Sequence, residues 1–327
     1  MANPKSERSV IMSDIHTKTL RANVAGIGQA AEILRKGGLL AFPTETVYGL
    51  GADAKQDLAV ARIYAAKERP YFNPLIVHFP NIASAKPYVH WSKEADILAN
   101  SFWPGAMTLV IEKCKDSRLS PLLSAGLSSV AIRIPDHSIT SDLLNRFSGP
   151  IAAPSANPSG TISPTTAEHV LLGLFGKIDG VVDGGACRLG LESTIIDITA
   201  TPTLLRPGGI PVEAIEACLG RKLKISPAAD RIKAPGQLSS HYAPRARLRL
   251  NATTIVDDEF LIGFGDMACD LNLSQKADLT EAAAHLFAHL HFLDNKGVAR
   301  IAVAPIPEHG LGQAINDRLI RAAAPRN

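Results

Sequence analysis

Cysteine is scarce in this chain: Cys114, Cys187, Cys218 and Cys269 are the only four in 327 residues, and none forms a CxxC pair. That excludes the usual zinc-finger spacing and a dense disulfide framework, and points to reduced thiols in a cytosol. Aromatics are also few, at 5% of residues, and are not interleaved with arginine as in single-strand nucleic-acid binders. Charge is nearly balanced, at +3 overall, too little to hold a long nucleic acid by phosphate neutralisation. Apolar runs stop at proline, glycine or charge well short of a membrane span, and residues 1–8 lack the apolar core of a signal peptide. A soluble, cytoplasmic protein is expected.

Several catalytic signatures are absent as well. The chain has no GxxxxGK[ST], so a nucleotide would be held without a Walker loop, and no GxSxG elbow. Gly26-Ile27-Gly28 and Gly49-Leu50-Gly51 each resemble half of a dinucleotide fingerprint but lack its strand-turn-helix setting. His285 and His289 stand four apart on an expected helix, with His291 nearby, a spacing metals can use. No HExxH or acidic partner accompanies them, so no metal site is assigned.

What is present has the texture of a mixed α/β protein. The chain is about twice the usual single-domain length, so two domains are expected. Residues 1–22 read as a leader. Ile27, Ala30, Ala31, Ile33 and Leu34 predict an amphipathic helix over 27–36, capped by Gly37 and Gly38, then a buried strand over 39–42 that Pro43 ends. Asp57 is placed to cap the next helix, and Thr165 with Glu168 forms a capping box before another. Further strands are expected over 75–79, 107–113, 130–134, 151–153, 181–183, 194–198 and 204–206, with helices over 93–102, 142–147 and 212–219. Together these fill one α/β domain over residues 23–222. Residues 223–247, with Pro227, Pro235, Gly236 and Pro244, lose periodicity and read as a linker. A smaller α/β domain over 248–327 follows, with strands at 260–264 and 299–304 and helices at 279–293 and 313–323.

Four polar segments are candidates for chemistry. Pro43-Thr44-Glu45-Thr46-Val47-Tyr48-Gly49-Leu50-Gly51 sets two hydroxyls and a carboxylate directly after a buried strand, where α/β proteins place ligands. Its glycines let backbone approach a ligand, although a self-satisfied turn has the same composition. Lys67-Glu68-Arg69, with Asn73 and His78 beyond, offers two cations suited to polyphosphate oxygens or to the end of a helix. Pro154-Ser155-Ala156-Asn157-Pro158-Ser159-Gly160, followed by Ser163, presents short polar side chains in a proline-framed loop, which is equally the composition of a plain turn. Gly184-Gly185 and Glu192-Ser193-Thr194 lead to Leu204-Leu205-Arg206-Pro207-Gly208, where Arg206 serves either a phosphate or the solvent.

Taken in order, FPTETVYGLGADA, KERPYFNPLIVHF, FWPGAMTLVI, SSVAIRIP, PIAAPSANPSG, ESTIID, LLRPG and SSHYAP, with Ala314-Ile315-Asn316-Asp317-Arg318 in the last helix, resemble the long-form L-threonylcarbamoyladenylate synthases. The paired Lys-x-Arg and Ser-x-Asn signatures of that family stand here as Lys67/Arg69 and Ser155/Asn157. The resemblance implies a YrdC-like domain, a twisted mixed sheet with flanking helices, followed by a smaller Rossmann-like α/β domain. It implies a nucleotidyltransferase that turns L-threonine, bicarbonate and ATP into threonylcarbamoyl-AMP and pyrophosphate for tRNA modification. By the same resemblance Thr46, His78, Arg133 and Ser193 meet L-threonine. Lys67, Arg69, Asn73, Ser129, Ser155, Asn157, Ser163 and Arg206 hold ATP, and Tyr242 lies in the Ser239-Ser240-His241-Tyr242 stretch that folds over the nucleotide. Lys67, Arg69, Ser155 and Asn157 take the catalytic part, Mg2+ arrives with ATP, and the product passes to a tRNA threonylcarbamoyl transferase complex with at most weak direct tRNA contact. Ala106 and Met107 depart from the family's Pro-Leu after Trp-Pro-Gly, a change of packing rather than chemistry. Two other readings stand beside this one. A carbamoyl-transferring hydrogenase maturation protein shares the YrdC-like domain, but this chain lacks its CxxC zinc fingers and acylphosphatase module. A non-catalytic RNA-binding protein is disfavoured by the weak charge.

Overall fold

The computed structural model describes residues 15–226, 233–238, 240–256 and 258–325. Strands β1 (Lys18–Arg21), β2 (Leu40–Phe42), β3 (Gly49–Asp53), β4 (Ile76–His78), β5 (Met107–Glu112), β6 (Ser129–Arg133), β7 (Ile151–Ala152), β8 (Gly180–Asp183), β9 (Thr194–Asp197), β10 (Thr203–Arg206) and β11 (Lys224–Ile225) make one mixed sheet. Their spatial order is β1-β8-β2-β3-β7-β4-β6-β5-β9-β10-β11. Central strands such as β2, β4 and β6 are buried throughout, which is why they read as unbroken apolar runs rather than alternating ones. One face carries a core containing Tyr48, Ile63, Leu109, Ile132 and Ile196; the other packs Leu34, Phe42, Leu143 and Phe147.

A second, wholly parallel sheet follows, built from β12 (Arg247–Arg249), β13 (Phe260–Gly263), β14 (Leu271–Asn272) and β15 (Arg300–Val303) in the order β12-β15-β13-β14. Helices Leu279–Asn295 and Gly312–Ala323 cover it, the first capped by Asp278, whose carboxylate accepts from the Thr280 and Glu281 amides. The two parts share an apolar seam. Val47, Ile162 and Leu191 from the larger sheet's side pack in one cluster with Tyr242, Leu286, Phe287, Ile315 and Leu319.

Some local expectations need correction. The expected leader ends in ordered structure: Lys18–Arg21 pairs parallel with β8, because its backbone completes that strand's free edge. Residues 1–14 lie outside the described residues, as does Ser239. Asp57 is the first residue of helix Asp57–Lys67 rather than its cap; Gln56 takes the cap position without a side-chain bond. The helix expected after Thr165 is capped by Thr166, whose hydroxyl accepts from the His169 amide. Lys224–Ile225 and the first residue of Arg247–Arg249 bring strand structure to both ends of the expected linker.

Candidate functional site

Strand ends create the site. β4 and β6 run parallel, and their last residues, His78 and Arg133, stand in register. β10 ends at Arg206, Ser193 immediately precedes β9, and Ser155 bridges Gly49 at the start of β3. A cavity of about 40 Å³ forms where these meet. Thr46, His78, Arg133, Ser155, Ser193, Arg206 and Arg69 all line it. Its roof is the chain between the two parts: Pro235, Gly236, His241 and Tyr242.

Arg133 is fixed on three sides. Its Nη1 donates to Thr46 Oγ1 at 2.9 Å, its Nε to the Gly105 carbonyl at 3.2 Å, and its Nη2 lies 2.6 Å from Glu45 Oε1. Thr46 shares a 2.8 Å hydroxyl contact with Thr44, which donates to the Val47 carbonyl. The threonine hydroxyls of the PTET turn are therefore satisfied within the site they also shape. His78 is 3% exposed, and burial beside Arg133 pushes its imidazole down to about 3, so it is neutral at pH 7. Ser193 Oγ contacts Thr108 Oγ1 at 2.7 Å, and Arg206 donates from Nε and Nη2 to the Ser193 carbonyl, at 3.2 and 2.9 Å.

The Lys-x-Arg and Ser-x-Asn signatures form a single unit. Helix Asp57–Lys67 ends on Glu68, held at φ 53°, which turns the chain so that Lys67 and Arg69 both face inward. Lys67 Nζ donates to the Ser155 carbonyl at 2.5 Å and also to the Asn157 carbonyl. Burial, with Arg69 nearby, holds its pKa well below the usual lysine range. Arg69 donates to the Asn73 and Pro74 carbonyls at 3.2 and 2.9 Å, and burial lowers it to about 10. Lys67 thus braces the loop that presents Ser155, while Arg69 itself reaches the cavity wall.

Not every expected residue arrives there. Asn73, Ser163, Asn157 and Lys67 are buried around the cavity without forming its walls. Asn157 donates to the Pro158 and Thr161 carbonyls and borders a separate groove with His169, Arg245 and His291. Ser129 opens β6 while Arg133 closes it, so they lie about 13 Å apart and Ser129 is not a wall residue. Among the described residues no group of three or more His, Cys, Asp or Glu side chains is placed to hold a metal. His285, His289 and His291 instead contact the carbonyls of Leu273, Asn272 and Ser163.

A buried network joins the site to the last helix. Ser163 donates to Glu192 Oε1, and Glu192 Oε2 lies 2.8 Å from Arg318 Nε. Arg318 also pairs with Asp317 at 2.6 Å and sits over the Tyr242 ring, 5.1 Å from its centre. Arg318, Arg206 and the Ser163 hydroxyl together hold Glu192 down at about 2 despite its burial. Arg321 donates to the Leu238 carbonyl at 2.5 Å, and the His241 amide to the Arg321 carbonyl at 3.2 Å, so the same helix grips the roof. Gly236, at φ 85°, is required there: a Cβ would stand 2.7 Å from the Tyr242 hydroxyl. Sequence reasoning assigned no role to Arg318 or Glu192. The signal existed, because Arg318 falls on the stripe of Ile315, Leu319 and Ala322, where a charge must find a buried partner. Both Asn73 amide atoms, His78 Nδ1, Asn157 Oδ1, His241 Nδ1, Tyr242 Oη and Arg318 Nη2 have no hydrogen-bond partner within the described protein. Buried polar atoms in that number around one cavity call for water or a polar ligand.

Fold and site together define a two-part α/β protein whose strand-end cleft, rich in arginine, is roofed by the connection to its second part. Residues 32–208 match the Sua5/YciO/YrdC family, described under telomere recombination, and residues 210–324 match the C-terminal domain of threonylcarbamoyl-AMP synthase. A threonylcarbamoyl-AMP synthase of Pyrococcus abyssi is 41% identical, over 91% of this chain and 94% of the relative. One from Bacillus subtilis is 41% identical over 95% and 96%. The crystal structure of P. abyssi Sua5 complexed with L-threonine superposes with a TM-score of 0.87 at 39% identity, covering 94% of this chain and 97% of that one. The chain belongs to the Sua5/YciO/YrdC family, in its two-domain Sua5 form.

Proposed function

We propose that this chain is a threonylcarbamoyl-AMP synthase, a nucleotidyltransferase that joins L-threonine, bicarbonate and ATP and releases pyrophosphate. The observation that carries the reading is the convergence of Thr46, His78, Arg133, Ser193, Arg69, Ser155 and Arg206 on one cavity. Arg133 is the partner for the threonine α-carboxylate, as a bidentate guanidinium contact. The neutral His78, with the hydroxyls of Thr46 and Ser193, supplies uncharged polar contacts alongside it.

The chemistry asks little covalent work of the protein. The unprotonated amine of threonine adds to the carbon of carbon dioxide or bicarbonate, giving a carbamate. A carbamate oxygen then attacks the α-phosphorus of ATP, and the bond to pyrophosphate breaks. Both steps depend on positioning and on charge stabilisation, which fixed guanidinium groups and hydroxyls supply. Arg69 and Arg206 would face the phosphates, with Lys67, Asn73, Asn157 and Ser163 holding the surrounding loops. Mg2+ would enter as part of the ATP substrate rather than in a protein cage. A cavity of about 40 Å³ has room for a few waters and none for a nucleotide, so Tyr242 and its neighbours would have to lift for ATP to enter and close afterwards. The product would serve a tRNA threonylcarbamoyl transferase complex in the cytoplasm.

The test is pyrophosphate release by the purified protein, with mass spectrometry of the product formed from labelled bicarbonate. Release should require threonine and bicarbonate together. Equal release with serine, or with no amino acid, would overturn the assignment.

A further inference from the structure

The buried cations around the cavity are compensated unequally. Arg133 faces Glu45 at 2.6 Å, with the two side chains 5% and 2% exposed. Neither Glu45 oxygen has an aligned hydrogen-bond donor among the described residues, so the carboxylate's compensation is the charge of Arg133 itself. Thr44 and Thr46 line the cavity while Glu45, between them, does not. The carboxylate therefore sits outside the cavity wall and acts on it through the guanidinium. At the other end, Lys67 and Arg69 donate only to backbone carbonyls, and neither has an ion-pair partner among the described residues. Arg206 likewise donates to the carbonyls of Ser193 and Pro235, and the two carboxylates that act on it, Glu192 and Asp317, are both paired with Arg318.

One end of the site is thus close to neutral, and the other presents the Arg69 guanidinium with no paired carboxylate among the described residues. We propose that Glu45 is a specificity-determining residue that sorts the two anionic substrates: by neutralising Arg133 it keeps polyphosphate out of the amino-acid end and leaves the Lys67–Arg69 end to take it. The inference rests on the functional reading above. A carboxylate carries one charge and gains most of its binding from two directed N–H bonds, which a paired guanidinium still offers through Nη1 and Nη2. A polyphosphate carries three or more charges, so the same fixed negative charge acts on it several times over. If Glu45 weakens a monoanion by some factor, it weakens a trianion by roughly the cube of that factor. Without Glu45, Arg133 would attract pyrophosphate as strongly as Arg69 does, and the two substrates would compete for one end.

Calorimetric titration of L-threonine in the absence of ATP, with and without inorganic pyrophosphate, tests this on the full chain. In the wild type, pyrophosphate should leave the threonine affinity within about twofold. In Glu45→Gln it should become competitive with threonine, lowering its apparent affinity by about tenfold or more. Glu45→Asp, which keeps the charge, should behave as the wild type does. The sorting is overturned if folded Glu45→Gln shows no more competition than the wild type. It is equally overturned if pyrophosphate already displaces threonine from the wild type, an arm that holds even should Glu45→Gln fail to fold. A wild type that binds no threonine would overturn the functional reading, and the sorting with it. Threonine binding with an unaltered competition pattern would sink the sorting alone.

Discussion

The ammonium of Lys67 is 1% exposed and meets two backbone carbonyls but no anion. Burial disfavours its charge, and its N–H donors are what keep the Ser155 and Asn157 carbonyls from being orphaned. Lys67 and Arg69, two residues apart, should therefore fail differently. Lys67→Met removes the brace from the Ser155 loop and should lower stability by about 2 kcal/mol, a few degrees in Tm, together with a loss of at least tenfold in kcat/KM for ATP. Arg69→Ala should cost ten- to a hundredfold in kcat/KM for ATP with a smaller loss of Tm, because its donors serve the Asn73 and Pro74 carbonyls of its own turn rather than a distant loop. Thermal melts beside steady-state kinetics separate the two. A Lys67→Met protein with wild-type Tm and only a raised KM would mean that the ammonium is a direct ligand. Both residues were legible in the sequence as members of a signature, but the aim of Arg69 beside Lys67 was not, because it depends on a left-handed Glu68 between them that no residue type announces. Glu45 was visible as a carboxylate between two hydroxyls, yet its partner lies 88 residues away on another strand, and pairings of that kind need the fold.

Apolar runs told the buried strands plainly, and β2, β5, β6 and β9 lie within a residue or two of where hydrophobic spacing puts them. Gly49–Asp53 was harder to read. Its glycines suggest a ligand loop, whereas Gly51 is a strand residue whose Cβ would stand 2.7 Å from the Phe42 ring. Short edge strands such as Lys18–Arg21, Lys224–Ile225 and Leu271–Asn272 have too few residues to show a period, and only the neighbouring strand defines them. Gly208 puts the same physics to use beside the site. It follows β10 by two residues, and a Cβ there would lie 2.3 Å from the Ser193 carbonyl carbon and 2.4 Å from both Glu192 O and Thr194 N. Those are backbone atoms, so no side chain can swing aside. Gly208→Ala must push the Glu192–Thr194 segment away from β10, carrying Ser193 and the Arg206 contacts with it. The expected outcome is a stability loss of about 2–4 kcal/mol with at least tenfold weaker threonine binding, read by denaturant melts and calorimetry. A fully stable variant with intact binding would show that this segment tolerates displacement.

The two parts of the molecule meet through groups that burial holds in one protonation state, and the acid stability of the whole chain follows from that. His78 and His241 are pushed down to about 3, and His291 to about 4, chiefly by loss of water. His137, His169 and His289 shift in the same direction. In the unfolded chain each of these titrates near 6.5. A folded pKa below the unfolded one means that, as pH falls under about 6.5, the unfolded state takes up protons the native state refuses. Stability should therefore be flat above pH 7 and fall below 6.5, with at least three protons of difference. That is a slope of roughly 4 kcal/mol per pH unit once the three titrate fully in the unfolded chain. Glu192 acts in the same sense lower down: its pair with Arg318 contributes fully above the unfolded carboxylate range near 4.3 and fades as pH falls toward 2. On that slope the histidines alone cost about 6 kcal/mol by pH 5 and about 10 by pH 4, so for a total stability in the lower half of the usual range of about 5–15 kcal/mol they should unfold the protein in that window, with Glu192 adding to the loss below about 4.3. Urea melts from pH 8 to 4.5 check the profile, and His291→Gln should remove about one proton's worth of the slope. His291 packs against His169 with 3.9 Å between ring centres and reaches across to the Ser163 carbonyl, so its proton uptake loosens the seam between the two sheets as well as the fold. A profile that stayed level down to pH 5 would mean that these imidazoles reach water in the native state and that the seam opens freely in solution.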